Sequence, residues 1–134
     1  MHRIDTETGE SLSSIKADAS LKPASLPVIN SDAILVLLVD EGVDYRALVS
    51  LDRGLHRIRW SRRAPDPWTT SRIFVAGNAV VMGTKSSGIT GYSTKNGERK
   101  WSLNLAGTIR AVGGTGDVLY VGTVEGRLYA VRIP

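Results

Sequence analysis

The chain contains no cysteine, one phenylalanine, two histidines and two methionines. Without cysteine there is no disulfide, no thiolate zinc site and no cysteine nucleophile. The missing thiols also leave the redox compartment unread, since their absence suits a reducing and an oxidising setting alike. Histidine chemistry has little material: His2 is at the terminus and His56 stands in a turn beside Arg53 and Arg57. No serine has the strand-turn-helix surroundings of a hydrolase nucleophile. The longest apolar run, Ala33 to Val39, is far too short for a membrane-spanning helix. The opening residues Met1-His2-Arg3-Ile4-Asp5 are polar and do not read as a signal peptide. No segment carries a helical hydrophobic period, beyond one turn's worth at Asp18 to Lys22.

What is present is glycine, β-branched residues and repetition. The 134 residues include 14 glycines and carry a net charge of +4. That length suits one domain with a core of its own, and so mild a basic balance selects no particular anionic partner. Asn78 to Thr84 matches Asp117 to Thr123 position for position. Asp52 precedes Trp60, and Ser93 precedes Trp101, by the same interval. Self-similarity at a period of roughly 40 residues is the mark of propellers and solenoids.

Strand-like runs fall into three groups. Leu26–Ile29, Ala33–Val39, Arg46–Leu51 and Leu55–Trp60 form the first. Arg72–Val75, Ala79–Thr84, Ile89–Ser93 and Arg99–Leu103 form the second. Ile109–Val112, Val118–Thr123 and Gly126–Ile133 form the third. Turn residues such as Gly77-Asn78, Lys95-Asn96-Gly97 and Glu125-Gly126 punctuate them. Four antiparallel strands per unit, A to D outward from an axis, make a β-propeller blade. The fold class expected is therefore an all-β propeller segment of about three blades. The expected boundaries are residues 24–63, 70–104 and 107–134, with residues 1–14 supplying the strand that completes the last blade and removes its bare edge. Three blades are fewer than a closed propeller ordinarily has. The segment is thus expected to be part of a larger propeller, with a ring completed by copies of itself and an open three-blade arc as the alternatives.

Tyr92-Ser93-Thr94-Lys95-Asn96-Gly97-Glu98-Arg99-Lys100-Trp101 resembles the tryptophan-docking motif of quinoprotein-like (PQQ-like) propeller repeats, roughly Ala-x-Asp-x-x-Thr-Gly-x-x-x-Trp. Ile4-Asp5-Thr6-Glu7-Thr8-Gly9-Glu10 is a second match, and Leu119 to Ala130 is similar to the B-to-C hairpin of the same repeats. Two departures stand out. Ser93 replaces the motif's aspartate, and Asp52-Arg53-Gly54-Leu55-His56 carries its glycine two places early, so that turn must differ. The resemblance implies blade-docking roles for Trp60 and Trp101, with Gly97, Gly83 and Gly122 as supporting glycines. A buried indole brings a large apolar face and an N–H that needs an acceptor.

The resemblance also implies a choice of functions. Its enzymes hold pyrroloquinoline quinone with calcium, an aspartate base and often a vicinal disulfide. This chain lacks the cysteines, and its carboxylates Asp40, Glu41, Asp44, Asp66, Asp117 and Glu125 are scattered over hairpins. Calcium needs six to eight converging oxygens. No cofactor, no metal and no catalytic residue are expected. The reading preferred is a non-catalytic module binding a protein or peptide, like the family's scaffolds of bacterial envelope assembly. The alternatives are a piece of a quinoprotein dehydrogenase and an arginine-based anion or nucleic-acid binder. Envelope or periplasmic location follows from the resemblance alone.

Two groups of arginines are candidates for binding. Arg53, Arg57, Arg59, Arg62 and Arg63 cluster around Trp60. Strand alternation puts Arg57 and Arg59 on one face, with Ile58 and Trp60 on the buried one. That makes the cluster a solvated outer strand, and nucleic acid is not expected as a partner. Thr70-Ser71-Arg72 and Thr108-Ile109-Arg110 instead place an arginine at the start of two innermost strands, where guanidinium groups can hold carboxylates bidentately. Arg72 and Arg110, with Asp66 and Trp68 of the connection before them, form the candidate rim site.

Overall fold

The computed structural model describes residues 1–15, 20–40, 42, 45–63, 73–84 and 88–134. Among these residues all regular structure is β, in fourteen strands. β1 (His2–Ile4) and β2 (Ser11–Ser14) form a hairpin of their own. Sheet I contains β3 (Lys22–Pro23), β4 (Val28–Ile29), β5 (Ala33–Asp40), β6 (Tyr45–Asp52) and β7 (Ile58–Arg63). Sheet II is β8 (Phe74–Ala76), β9 (Ala79–Thr84), β10 (Gly88–Ser93) and β11 (Arg99–Asn104), paired in chain order. Sheet III is β12 (Ile109–Thr115), β13 (Val118–Thr123) and β14 (Leu128–Arg132). Every pairing is antiparallel between chain neighbours, except that β3 and β4 share β5 as their partner. The innermost strand of sheet I is thus divided, and its first half reaches into residues that the sequence pattern leaves irregular.

The hydrophobic runs follow from how the sheets stack. A strand buried on both faces loses the polar half of its alternation. On β5, Ile34, Val36 and Leu38 enter one core with Ala47, Val49, Leu51 and Leu55. Leu35 and Leu37 point the other way, into a core shared with Leu48 of sheet I and Ile73, Val80, Met82 and Tyr92 of the next repeat. Val81 and Ile89 of sheet II then meet Ile109, Leu119 and Val121 of the third repeat. The sheets are therefore layers in a row, each face-to-face with the next, as blades are.

The last sheet departs from expectation. Residues 1–14 do not lie beside it: β1 pairs with β2, and β14 has β13 as its neighbour among the described residues. The hairpin docks instead on sheet I, where the Ser13 hydroxyl donates to the Gly54 carbonyl. The reason is local pairing. The turn Asp5 to Glu10 closes β1 onto β2, with Asp5 N–H donating to Glu10 O at 2.9 Å and Gly9 N–H to Asp5 O at 2.8 Å. The hairpin has the form of the C and D strands of a blade ahead of sheet I.

Candidate binding rim and blade-docking geometry

The C-to-D turn is built the same way in each copy. Asp5 to Glu10, Asp52 to Arg57 and Ser93 to Glu98 are each closed by a backbone bond from the first residue's N–H to the last one's carbonyl, at 2.9, 3.1 and 2.7 Å. The first side chain caps the turn. The Asp5 carboxylate accepts from Glu7 N–H at 2.8 Å and Thr8 N–H at 3.0 Å. Asp52 accepts from Gly54, His56 and Arg57 N–H at 3.1, 2.9 and 2.6 Å. Ser93 manages one such bond, from Lys95 N–H at 3.2 Å. Hydrogen bonds to the ionised form hold both carboxyls below the usual range, Asp52 chiefly through Arg57 N–H and Asp5 chiefly through Thr8 N–H.

The turns differ where the glycine is displaced. Gly9 and Gly97 take φ of +74° and +73°, but in the middle copy the left-handed residue is Leu55, at +56°. Leu55 N–H closes a shorter ring onto Asp52 O at 3.0 Å. The leucine tolerates this backbone because its side chain is buried against Ile34, Val36 and Leu51.

Each turn leads into a strand with one extra residue. The register slips between Arg3 and Ile4, between Ser50 and Leu51, and between Gly91 and Tyr92, leaving Leu12, Arg59 and Lys100 as the bulged residues. A bulge re-aims the side chains beside it. Ser13, Trp60 and Trp101 directly follow these bulges. Trp60 Nε1 donates to the Thr94 carbonyl at 3.1 Å, in the turn of the following sheet. Its ring lies against Gly97, where a Cβ would sit 2.6 Å from ring carbons. Trp101 covers Gly91, its cross-strand partner, so closely that a side chain there would collide with the indole. At Gly122 an added Cβ would make only an ordinary contact, 3.8 Å from Ala111 Cβ, so no docking contact requires this glycine.

The bulge also revises the outer strand of sheet I. Ile58 is 52% exposed, rather than sharing a buried face with Trp60, because the extra residue breaks the strict alternation. The arginines around Trp60 hold neighbouring turns: Arg59 Nη1 donates to Asp32 O at 3.0 Å, Arg62 Nε to Asn96 O at 3.0 Å and Arg53 Nη1 to Ser31 O at 3.4 Å. Lys100, the counterpart of Arg59, likewise reaches Asn78 Oδ1.

Of the rim residues, Arg72, Asp66 and Trp68 lie outside the described residues. Arg110 is exposed and is itself the bulged residue of β12, between the pairs Ile109–Thr123 and Ala111–Gly122. The connection before it is fixed from an unforeseen side. Both Glu125 carboxylate oxygens accept from Thr108 N–H, at 3.1 and 2.9 Å. The Glu125 carboxyl is held low by its own backbone N–H first and by Thr108 next. Val124 N–H donates to Thr108 O at 2.9 Å, and the Tyr129 hydroxyl donates to Ala106 O at 2.8 Å. Gly107, at φ +105°, has no room for a Cβ beside Glu125. In sequence Glu125 reads as a turn carboxylate, and nothing local marks its reach back to Thr108. Val124 at this same rim is 57% exposed.

Among the described residues no three His, Asp or Glu side chains converge as a metal site. Asp5, Asp52 and Glu125 already accept from backbone N–H groups. Among the described residues no helix is long and apolar enough to cross a membrane.

Solved structures share the fold. BamB from Moraxella catarrhalis superposes with a TM-score of 0.68 at 20% identity, covering 90% of this chain and 34% of that one. The chain thus spans about a third of that protein's length. The computationally designed Ika4 protein matches with a TM-score of 0.72 at 13% identity, over 98% of this chain and 78% of Ika4. HIRA(644-1017) matches at 0.56 and 16% identity, over 87% of this chain and 36% of that one. A search of curated proteins found no significant match. The family profile described as outer membrane protein assembly factor BamB matches residues 1–134, and with its stacked, tryptophan-docked PQQ-like β-propeller sheets the chain belongs to that family.

Proposed function

We propose that the chain is a non-catalytic propeller module that binds a protein or peptide partner at the cell envelope, with no quinone or metal cofactor. The observation that carries this reading is Arg110: a guanidinium pushed out by a bulge, on a rim whose backbone Glu125 clamps in place. A cation on a rigid base loses little freedom on binding, and a guanidinium pairs bidentately with a carboxylate. The partner's contact segment is therefore acidic, with an apolar group to meet Val124. Arg72, Asp66 and Trp68 are proposed to extend the same rim. The family's role in outer-membrane protein assembly favours a component of that machinery as the partner.

Photocrosslinking in envelope preparations tests this. A photoreactive side chain at position 110 is expected to give a discrete adduct with another protein. The same group at Lys95, an exposed residue of the opposite set of turns, should give none. Arg110→Glu with the crosslinker at position 124 should lose the adduct. Equal labelling from 110 and 95, or an adduct indifferent to Arg110→Glu, refutes the assignment.

A further inference from the structure

Of the three matched C-to-D turns, one lacks its capping carboxylate. Asp5 accepts from the N–H groups two and three places on, those of Glu7 and Thr8, and Asp52 accepts from three N–H groups of its own turn. In turn 93–98 the capping residue is Ser93, which is neutral and one bond shorter. Its Oγ takes the first of those bonds, from Lys95 N–H at 3.2 Å. The second is missing: among the described residues nothing accepts from Asn96 N–H. The backbone is otherwise that of the first turn, with φ of +73° at Gly97 against +74° at Gly9. A half-buried N–H without an acceptor costs stability until something supplies one.

Cations collect at the same turn. Arg62 Nε donates to Asn96 O at 3.0 Å, which holds the guanidinium there with both Nη groups unused among the described residues. Lys95 is exposed within the turn. Lys100 joins it through the side chain of Asn78, whose carbonyl accepts from Thr94 N–H at 3.0 Å. The acceptors that pin Arg62 and Lys100 are carbonyl and amide oxygens, which leave the positive charge uncompensated. The one carboxylate of the turn, Glu98, accepts from the Asn96 side-chain amide at 2.8 Å.

We propose that turn 93–98 binds a phosphate group, seated where the first turn holds the Asp5 carboxylate. The donors are Asn96 N–H, the Ser93 hydroxyl, the Arg62 Nη groups and the Lys95 ammonium. A phosphate offers several strong acceptor oxygens and close to two negative charges, enough for all of them, where a carboxylate has two oxygens and one charge. Backbone N–H groups beside a left-handed residue are a recurrent anion-binding element. Nucleic acid is the less suited source of the phosphate. Trp60, the aromatic side chain at this turn, is committed to Thr94 O and to Gly97 and presents no face for base stacking. Free phosphate and the headgroup of an anionic lipid share the chemistry required. The turn is at the opposite end of the strands from Arg110, so the site is independent of what the rim binds.

Titration of the 134-residue chain with inorganic phosphate, followed by amide nuclear magnetic resonance, tests it. With sodium chloride holding the ionic strength constant, the Asn96 amide signal is expected to shift saturably. The Thr8 amide, already capped by Asp5, should stay in place. Ser93→Asp should move the Asn96 amide in the same direction without phosphate and abolish the further response, because a tethered carboxylate then fills the site. Lys95→Gln, at an exposed position, should weaken phosphate binding roughly tenfold. Vesicles separate the two sources. Sedimentation of the wild type, but not of Ser93→Asp, with phosphatidic acid and not with phosphatidylcholine assigns a lipid headgroup; a phosphate response without sedimentation assigns free phosphate. An Asn96 amide indifferent to phosphate, an equal shift at Thr8, or a response that survives unchanged in either variant overturns the proposal.

Discussion

Gly97→Ala isolates the docking of one blade on the next. Two penalties act at this residue. The backbone is left-handed, φ +73°, which costs an alanine about 1–2 kcal/mol. The new methyl would also stand 2.5 Å from Arg62 Cγ and 2.6 Å from Trp60 ring carbons. Relief requires the indole to move, straining or breaking its 3.1 Å bond to Thr94 O. That bond contributes about 1 kcal/mol, and overpacking adds about 1–3 kcal/mol. Gly77→Ala is the matched control in the same repeat: φ is +56°, but nothing lies within 4 Å of its added Cβ. The expected losses are about 1–2 kcal/mol for Gly77→Ala and about 3–5 kcal/mol for Gly97→Ala. Urea unfolding followed by far-ultraviolet circular dichroism reads both. A double-mutant cycle with Trp60→Ala completes the test, because without the indole the Gly97→Ala cost should fall toward that of its control, leaving only the contact with the flexible Arg62 side chain. Equal losses from the two glycine variants, or a Gly97→Ala cost unchanged by removing Trp60, would refute the claim that the ring is wedged against this turn.

Two further outcomes follow from the turns. Leu55→Ala should destabilise by about 2–5 kcal/mol through the cavity it leaves. Leu55→Gly leaves a similar cavity but relieves a left-handed residue, so it should be the more stable of the two by about 1 kcal/mol, the reverse of the usual order; a Leu55→Gly variant less stable than Leu55→Ala removes the argument from strain. Asp52 and Asp5 have folded pKa values below their unfolded ones, so their ionised forms stabilise the fold above about pH 4. That contribution should fade as pH falls through the unfolded value and then the lower folded one. Melting temperature measured from neutral to acid pH should therefore drop less steeply in Asp52→Asn, whose amide oxygen still accepts but does not titrate; an identical slope sets the capping argument aside.

The stack of sheets was legible because its causes are local and repeated. A run such as Ala33 to Val39 states that both faces of a strand are buried, and turn dipeptides mark where each strand ends. The bulges were not legible. Arg59 and Lys100 look like ordinary alternating residues, and only the register shows that each is the extra one. This is why strict alternation puts Ile58 on a buried face although it is half exposed. Leu55 was hidden for a related reason: the displaced Gly54 announced an altered turn but not which neighbour would take positive φ. At the rim, Arg110 could be singled out by its recurrence, whereas the Glu125 clamp spans seventeen residues and depends on how two loops meet.

The position following each bulge ties these observations together. It bears tryptophan at 60 and 101 but serine at 13, and in each case the bulge aims it at the next layer. An indole there adds a large buried area and a hydrogen bond, so sheets I and II are clamped by Trp60. A hydroxyl keeps only the hydrogen bond, to Gly54. At this position the hairpin is therefore held to sheet I with less buried side-chain area than Trp60 supplies between sheets I and II, and side-chain area rather than hydrogen bonding supplies most of the docking energy.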